Sequence, residues 1–137
     1  MFVDACAIVS ILSREPDAES YAAALELVDE PITSSLAAWE AILVLSRPDK
    51  LDRTFKQAER IVCDWLSERG IAMRESLAPP AQTLSLAIHA AQTWGRSRSK
   101  LSSYDCFHYA FAKSAGVTML TRDRALRATD LDCMPLD

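Results

Sequence analysis

The chain has 137 residues, half of them hydrophobic and a quarter charged, with a formal net charge of −4. Such a length suits a single domain spanning residues 1–137, whose core buries roughly two-thirds of the unfolded surface without help from a disulfide or a structural metal. The acidic balance argues against a protein that coats nucleic acid non-specifically, but it leaves room for an enzyme whose acidic ligands outweigh a local basic rim.

In chain order, residues 1–3 predict a short buried strand running into Asp4, and 6–13 a helix. Pro16-Asp17 opens a further helix reaching about residue 28, and 31–33 reads as a second strand. Ser34 or Ser35 can cap a helix over 36–45, closed by Pro48. Residues 51–68 are strongly helical: Phe55, Ala58, Ile61, Val62, Trp65 and Leu66 recur at helical spacing, Gly70 ends the helix, and 71–73 is a third candidate strand. Pro79 and Pro80 open a helix to Trp94 with Leu84, Ala87, Ile88 and Ala91 on one face. GRSRSK is a basic loop at 95–100. Ser102 or Ser103 starts a helix to Ser114, with Tyr104, Phe107, Phe111 and Ser114 predicted to face inward and Gly116 as terminator. A strand over 117–120, a short TRDRAL turn and an edge strand over 131–134 complete the chain. Strands alternating with helices predict a three-layer α/β/α sandwich around a mostly parallel sheet of four or five strands, with function at the carboxyl ends of the strands.

Cys6, Cys63, Cys106 and Cys133 form no CxxC pair, and His89 and His108 have no ligand spacing with them, so reduced thiols are expected rather than a zinc site. The opening MFVDACAIVSIL carries an acid where a signal peptide needs lysine or arginine, and no apolar run is long enough to span a bilayer. The expectation is a cytoplasmic protein with no membrane partner.

The informative feature is where the acids sit. Asp4 is the only charged side chain in the first thirteen residues, and Glu40 the only one between Pro31 and Ser46, inside the apolar SSLAAWEAILVLS. A carboxylate in such surroundings needs a cation, a donor network or a raised pKa. Asp105, in LSSYDCFHYAFAK, and Asp123, in TRDRAL, sit at a predicted helix start and just beyond a predicted strand. Each acid also has a purely structural reading: helix caps for Asp4, Asp105 and Asp123, and an arginine partner for Glu40. Converging at one sheet edge, the four would form an oxygen-only pocket suited to Mg²⁺ or Mn²⁺, whose coordinated water can attack a phosphodiester.

Taken together, FVDACAIVSIL, SSLAAWEAILVLSR, LSSYDCFHYAFAK and VTMLTRDRAL resemble the PIN-domain family, and within it the toxin ribonucleases of VapBC toxin–antitoxin pairs. The resemblance implies divalent-metal-dependent RNA cleavage with Asp4, Glu40, Asp105 and Asp123 as the metal-holding, catalytic set. It also implies a homodimer and a VapB-type antitoxin whose tail covers the acidic cleft. There are two departures. Cys6 stands where relatives usually carry serine or threonine, a poorer donor in support of Asp4. Arg122 and Arg124 flank a lone Asp123 where many relatives carry a second acid or an asparagine; Asp130 is a candidate substitute, though it reads better as a surface residue or cap. Thr121 is a candidate for orienting Asp123 or a water. Arg96, Arg98, Lys100, Arg122 and Arg124, with Arg127, are candidates for holding RNA phosphates, or equally for surface ion pairs. His108 reads as a core histidine before a catalytic one.

Two other readings stay open. A non-catalytic PIN-like protein would use the same acids structurally to bind a partner. An aspartate-based Mg²⁺-dependent phosphohydrolase of the haloacid-dehalogenase type would want a second aspartate where this chain has Cys6. A receiver-type signalling domain fits less well still, lacking paired early acids and a late lysine.

Overall fold

A computed structural model describes residues 1–96 and 100–136; Arg98 lies outside the described residues. The sheet is built from β1 (Phe2–Val3), β2 (Ile32–Thr33), β3 (Ala72–Met73), β4 (Met119–Leu120) and β5 (Cys133–Met134), in the spatial order β3-β2-β1-β4-β5 with every pairing parallel. Phe2 registers with Ile32 on one side and Met119 on the other. Side chains alternate across a strand, so each short strand feeds two cores. Phe2 and Met119 enter the cluster that contains Ala87, Ala90, Tyr109 and Phe111. Val3 and Leu120 enter the opposite cluster, with Ile8, Tyr21, Leu45, Val62 and Trp65. The first is covered by α5 (Pro80–Trp94), α6 (Ser103–Ala115) and the short α7 (Arg124–Arg127). The second is covered by α1 (Ala5–Ser13), α2 (Ala18–Leu25), α3 (Ser35–Leu45) and α4 (Phe55–Glu68). This is the expected α/β sandwich, with a five-stranded parallel sheet.

Local chemistry accounts for most of the boundaries. Asp4, Ser34, Thr54, Ser102 and Asp123 each cap the helix that follows with a side-chain oxygen, and Thr54 and Ser102 complete capping boxes with Gln57 and Asp105. Gly116 closes α6 in the left-handed conformation (φ 63°), where a side chain would be strained. The helix expected from residue 51 begins only at Phe55: Thr54 is its cap, and Asp52 just before it has φ 50°, which a helix cannot contain. The strands are shorter than expected, each two residues long.

Two inward faces differ from expectation. On α5 the buried positions are Ala87 and Ala90, while Leu84 and Ile88 are about half exposed and Ala91 is exposed. On α6 Tyr104 and Phe107 point outward, and Cys106, His108, Tyr109, Ala110, Phe111 and Ala112 are buried. Small residues sit between α5 and α6 because the helices pack closely there, and the larger side chains are displaced to the rim.

Candidate functional site

The strand order reverses at β1: the chain winds outward through β2 and β3, then returns to place β4 on the other side. Such a switch point opens a crevice at the carboxyl ends of the two strands. Asp4 follows β1 directly, and Thr121 to Asp123 follow β4, so adjacent strands deliver both segments to that crevice.

Asp4 is 4% exposed and fully engaged. Its Oδ1 accepts from the Ala5 amide at 2.8 Å, and its Oδ2 accepts from the Thr121 hydroxyl at 2.7 Å and from the Cys6 thiol at 3.1 Å. Thr121 in turn accepts from the Asp123 amide at 3.1 Å. Thr121 therefore orients Asp4 through its side chain and Asp123 through its backbone. Burial, then the nearby Asp4 charge, pushes the Cys6 thiol up to about 12, so it remains a neutral S–H able to donate. Behind it stands Tyr21, whose hydroxyl is 3.5 Å from the Cys6 sulfur and whose ring lies 5.9 Å from the Arg122 guanidinium carbon. Tyr21 was not legible as part of this network, since nothing in the small-residue pattern of α2 marks it.

Asp105 and Ser102 bond reciprocally, Asp105 Oδ2 accepting from the Ser102 amide at 2.9 Å. Burial raises the Asp105 pKa above the ordinary carboxylate value, and the charges of Asp123 and Asp4 push in the same direction against the Ser102 bonds. Asp123 Oδ1 accepts from the Ala125 and Leu126 amides at the start of α7.

Glu40 projects from α3 with 30% of its side chain exposed, and its Oε2 lies 2.8 Å from His108 Nε2. The partner is thus a histidine on α6 and not the arginine expected. Burial presses His108 toward its neutral form, but the Glu40 bond and the charges of Asp4, Glu40 and Asp105 outweigh it and hold the pKa above the ordinary value. The charges of Asp4 and Asp123 act on Asp105, and those of Asp4, Glu40 and Asp105 act on His108. Among the described residues no three acidic, histidine or cysteine side chains form a preformed metal-holding group.

The basic candidates divide. Arg96, Lys100 and Arg124 are exposed, and Arg96 lines a cleft with Ser102 and Ser103 at the start of α6. Arg122 is half-buried over Tyr21. Arg127 is structural: its guanidinium donates to the carbonyls of Thr121 and Pro135 and ties β4 to the end of the chain. Asp130 is exposed and accepts from Tyr109 and Lys113 on the far part of α6, so it is a surface residue and no second acid beside Asp123.

A parallel sheet in this order, with an acid after the first strand and another after the fourth, defines an α/β domain of the PIN type, and the PIN domain family model matches residues 1–131. The chain belongs to the PIN-domain family and, within it, to the VapC branch. It is 34% identical over 133 residues to "Ribonuclease VapC" of Mycolicibacterium smegmatis, covering 96% of this chain and 97% of that protein. It is 30% identical over 138 residues to "Ribonuclease VapC30" of Mycobacterium tuberculosis, covering 99% of each. To "VapC ribonuclease R02377" of Rhizobium meliloti it is 28% identical over 142 residues, covering 95% of this chain and 98% of that protein.

Proposed function

We propose that this protein is a divalent-metal-dependent endoribonuclease, the toxin of a VapBC-type toxin–antitoxin pair. The observation that carries the reading is the Thr121 bridge at the carboxyl ends of β1 and β4, which bonds Asp4 and the Asp123 amide, with both charges acting on Asp105, whose helix also holds Glu40 through His108. The relatives named as VapC ribonucleases over nearly their whole length support the same activity here.

The donor chemistry fits Mg²⁺ or Mn²⁺. Asp4, Glu40, Asp105 and Asp123 offer only oxygen, and repulsion among them is relieved by a hard cation. Mg²⁺ keeps several waters and uses few direct carboxylates, so it does not require a tight preformed cage. Bound there, the ion would supply charge neutralisation at the scissile phosphate and an acidified water. The chain's own contributions are distinct. Thr121 and Cys6 fix the Asp4 carboxylate, the Ser102 box fixes Asp105, and the α7 amides fix Asp123. Exposed Arg96, Lys100 and Arg124 would meet RNA phosphates, a role that Arg98 and Arg122 would share.

We also infer a homodimer and a VapB-type antitoxin partner in the cytoplasm. The apolar surface left uncovered on the single chain supports this: Leu84 and Ile88 on α5, and a groove lined by Trp39, Ile42, Phe55 and Met73 between α3 and α4. Among the described residues no helix is long and apolar enough to cross a membrane.

The deciding experiment is digestion of RNA by the purified chain with Mg²⁺ or Mn²⁺, with EDTA, and with Asp4→Asn. Cleavage abolished by EDTA and by the substitution is expected. Cleavage that survives both sinks the reading, and absence of any cleavage favours a non-catalytic PIN-like binding protein.

A further inference from the structure

One buried titratable side chain has no part in the reading above. His108 is 1% exposed, sits in the middle of α6 among apolar residues, and directs Nε2 at Glu40. We propose that His108 is a positioning residue for Glu40, a fixed donor from the core that sets the direction of the Glu40 carboxylate at the metal site. The proposal rests on the metal-dependent reading and deepens it.

Three features of the geometry carry it. Glu40 is carried on a flexible, partly exposed side chain, and a free glutamate there would spread over many rotamers. His108 has no such freedom, since its imidazole is enclosed and its ring tilts against Phe2 of β1 at 5.9 Å between centroids, with Phe2 packed on Phe111 at 4.9 Å. The donor is therefore anchored to the central strand, the same strand that delivers Asp4. Finally, His108 lies one turn after Asp105 on α6, so the helix that carries one acid also holds the other. The Nε2–H donates to Oε2 at 2.8 Å, which leaves Oε1 as the oxygen offered to a cation. Outer bonds of this kind orient metal ligands, and losing them typically weakens metal binding by about 10–100-fold.

The test measures Mn²⁺ affinity calorimetrically on the full chain, with thermal melting of the metal-free protein as a fold control. His108→Leu keeps an apolar-compatible volume and removes the donor, and it is expected to weaken Mn²⁺ binding by about tenfold or more. His108→Gln places an amide N–H close to the Nε2 position and is expected to restore affinity to within about threefold of the wild type, whereas His108→Asn, whose amide falls short, is not. In a Glu40→Gln background His108→Leu should have no further effect on affinity, because the bond it removes acts only through Glu40. A purely structural histidine would lower the melting point without this coupling. If His108→Leu fails to fold, equal affinities for the Gln and Asn variants overturn the proposal. Unchanged affinity in folded His108→Leu, with binding lost in Asp4→Asn, overturns it while leaving the metal reading intact. Wild-type affinity in Asp4→Asn overturns both.

Discussion

The Thr121 hydroxyl donates to Oδ2 of Asp4 at 2.7 Å, joining two residues 117 positions apart at the ends of neighbouring parallel strands. The register of Val3 with Leu120 brings the two residues side by side, because each is the next residue after its strand. Both side chains are buried, so the bond is the main means by which the sheet itself orients the carboxylate.

Thr121→Val should therefore be costly despite its similar shape. It removes a donor from a buried carboxylate and an acceptor from the Asp123 amide, which together are worth about 2–4 kcal/mol. Urea denaturation of the metal-free protein measures this. A loss under about 0.5 kcal/mol would mean that water or Cys6 replaces the hydroxyl without cost.

Cys6 should be chemically silent while Cys63 reacts. Burial and the Asp4 charge push the Cys6 thiol up to about 12, whereas Cys63 is exposed on α4. A folded pKa above the unfolded value contributes stability that is complete below the ordinary thiol range and lost as pH rises toward the folded value. Alkylation at pH 8 followed by peptide mass spectrometry should label Cys63 and spare Cys6, with Cys6 labelled only on unfolding or at strongly alkaline pH. Equal labelling of the two at pH 8 would contradict the enclosed, hydrogen-bonded thiol.

Asp130 should behave as a surface partner. The Lys113 ammonium, aided by Tyr109, holds its carboxyl below the ordinary range against a small burial effect. A lowered folded pKa gives stability present above the unfolded carboxylate value and lost as pH falls through the folded one. Asp130→Asn should slightly flatten the acid limb of the stability–pH curve, and the effect is small because the pair is exposed. RNA cleavage should be unchanged in that variant and strongly reduced in Asp123→Asn. Parallel loss in both would return Asp130 to the active centre.

The uncovered apolar side chains of α5 should be buried in the assembled protein. Light scattering after size exclusion is expected to give a dimer at micromolar concentration, and Ile88→Lys is expected to shift it toward monomer. A wild-type monomer under those conditions counts against the homodimer.

Much of this protein is legible without coordinates because its signals are local. Ser34, Ser102 and Asp123 cap helices within a few residues of themselves, and Gly116 stops α6 by its own backbone freedom. The isolation of Asp4 and Glu40 in apolar runs likewise marks them from composition alone, since a lone charge in such a run needs a partner wherever it folds. Other features depend on which surfaces meet. Helical periodicity puts Leu84 with Ile88 and Ala87 with Ala90 on faces of α5 but does not say which face a neighbouring helix will approach closely. The identity of the group that satisfies Glu40 is settled by the tertiary fold, which brings His108 of α6 to it from 68 residues away. Local chemistry determined the caps, the element order and the suspect acids. Packing across the sheet decided the partners, because hydrogen bonds between distant residues exist only once the strands and helices that carry them have been set side by side.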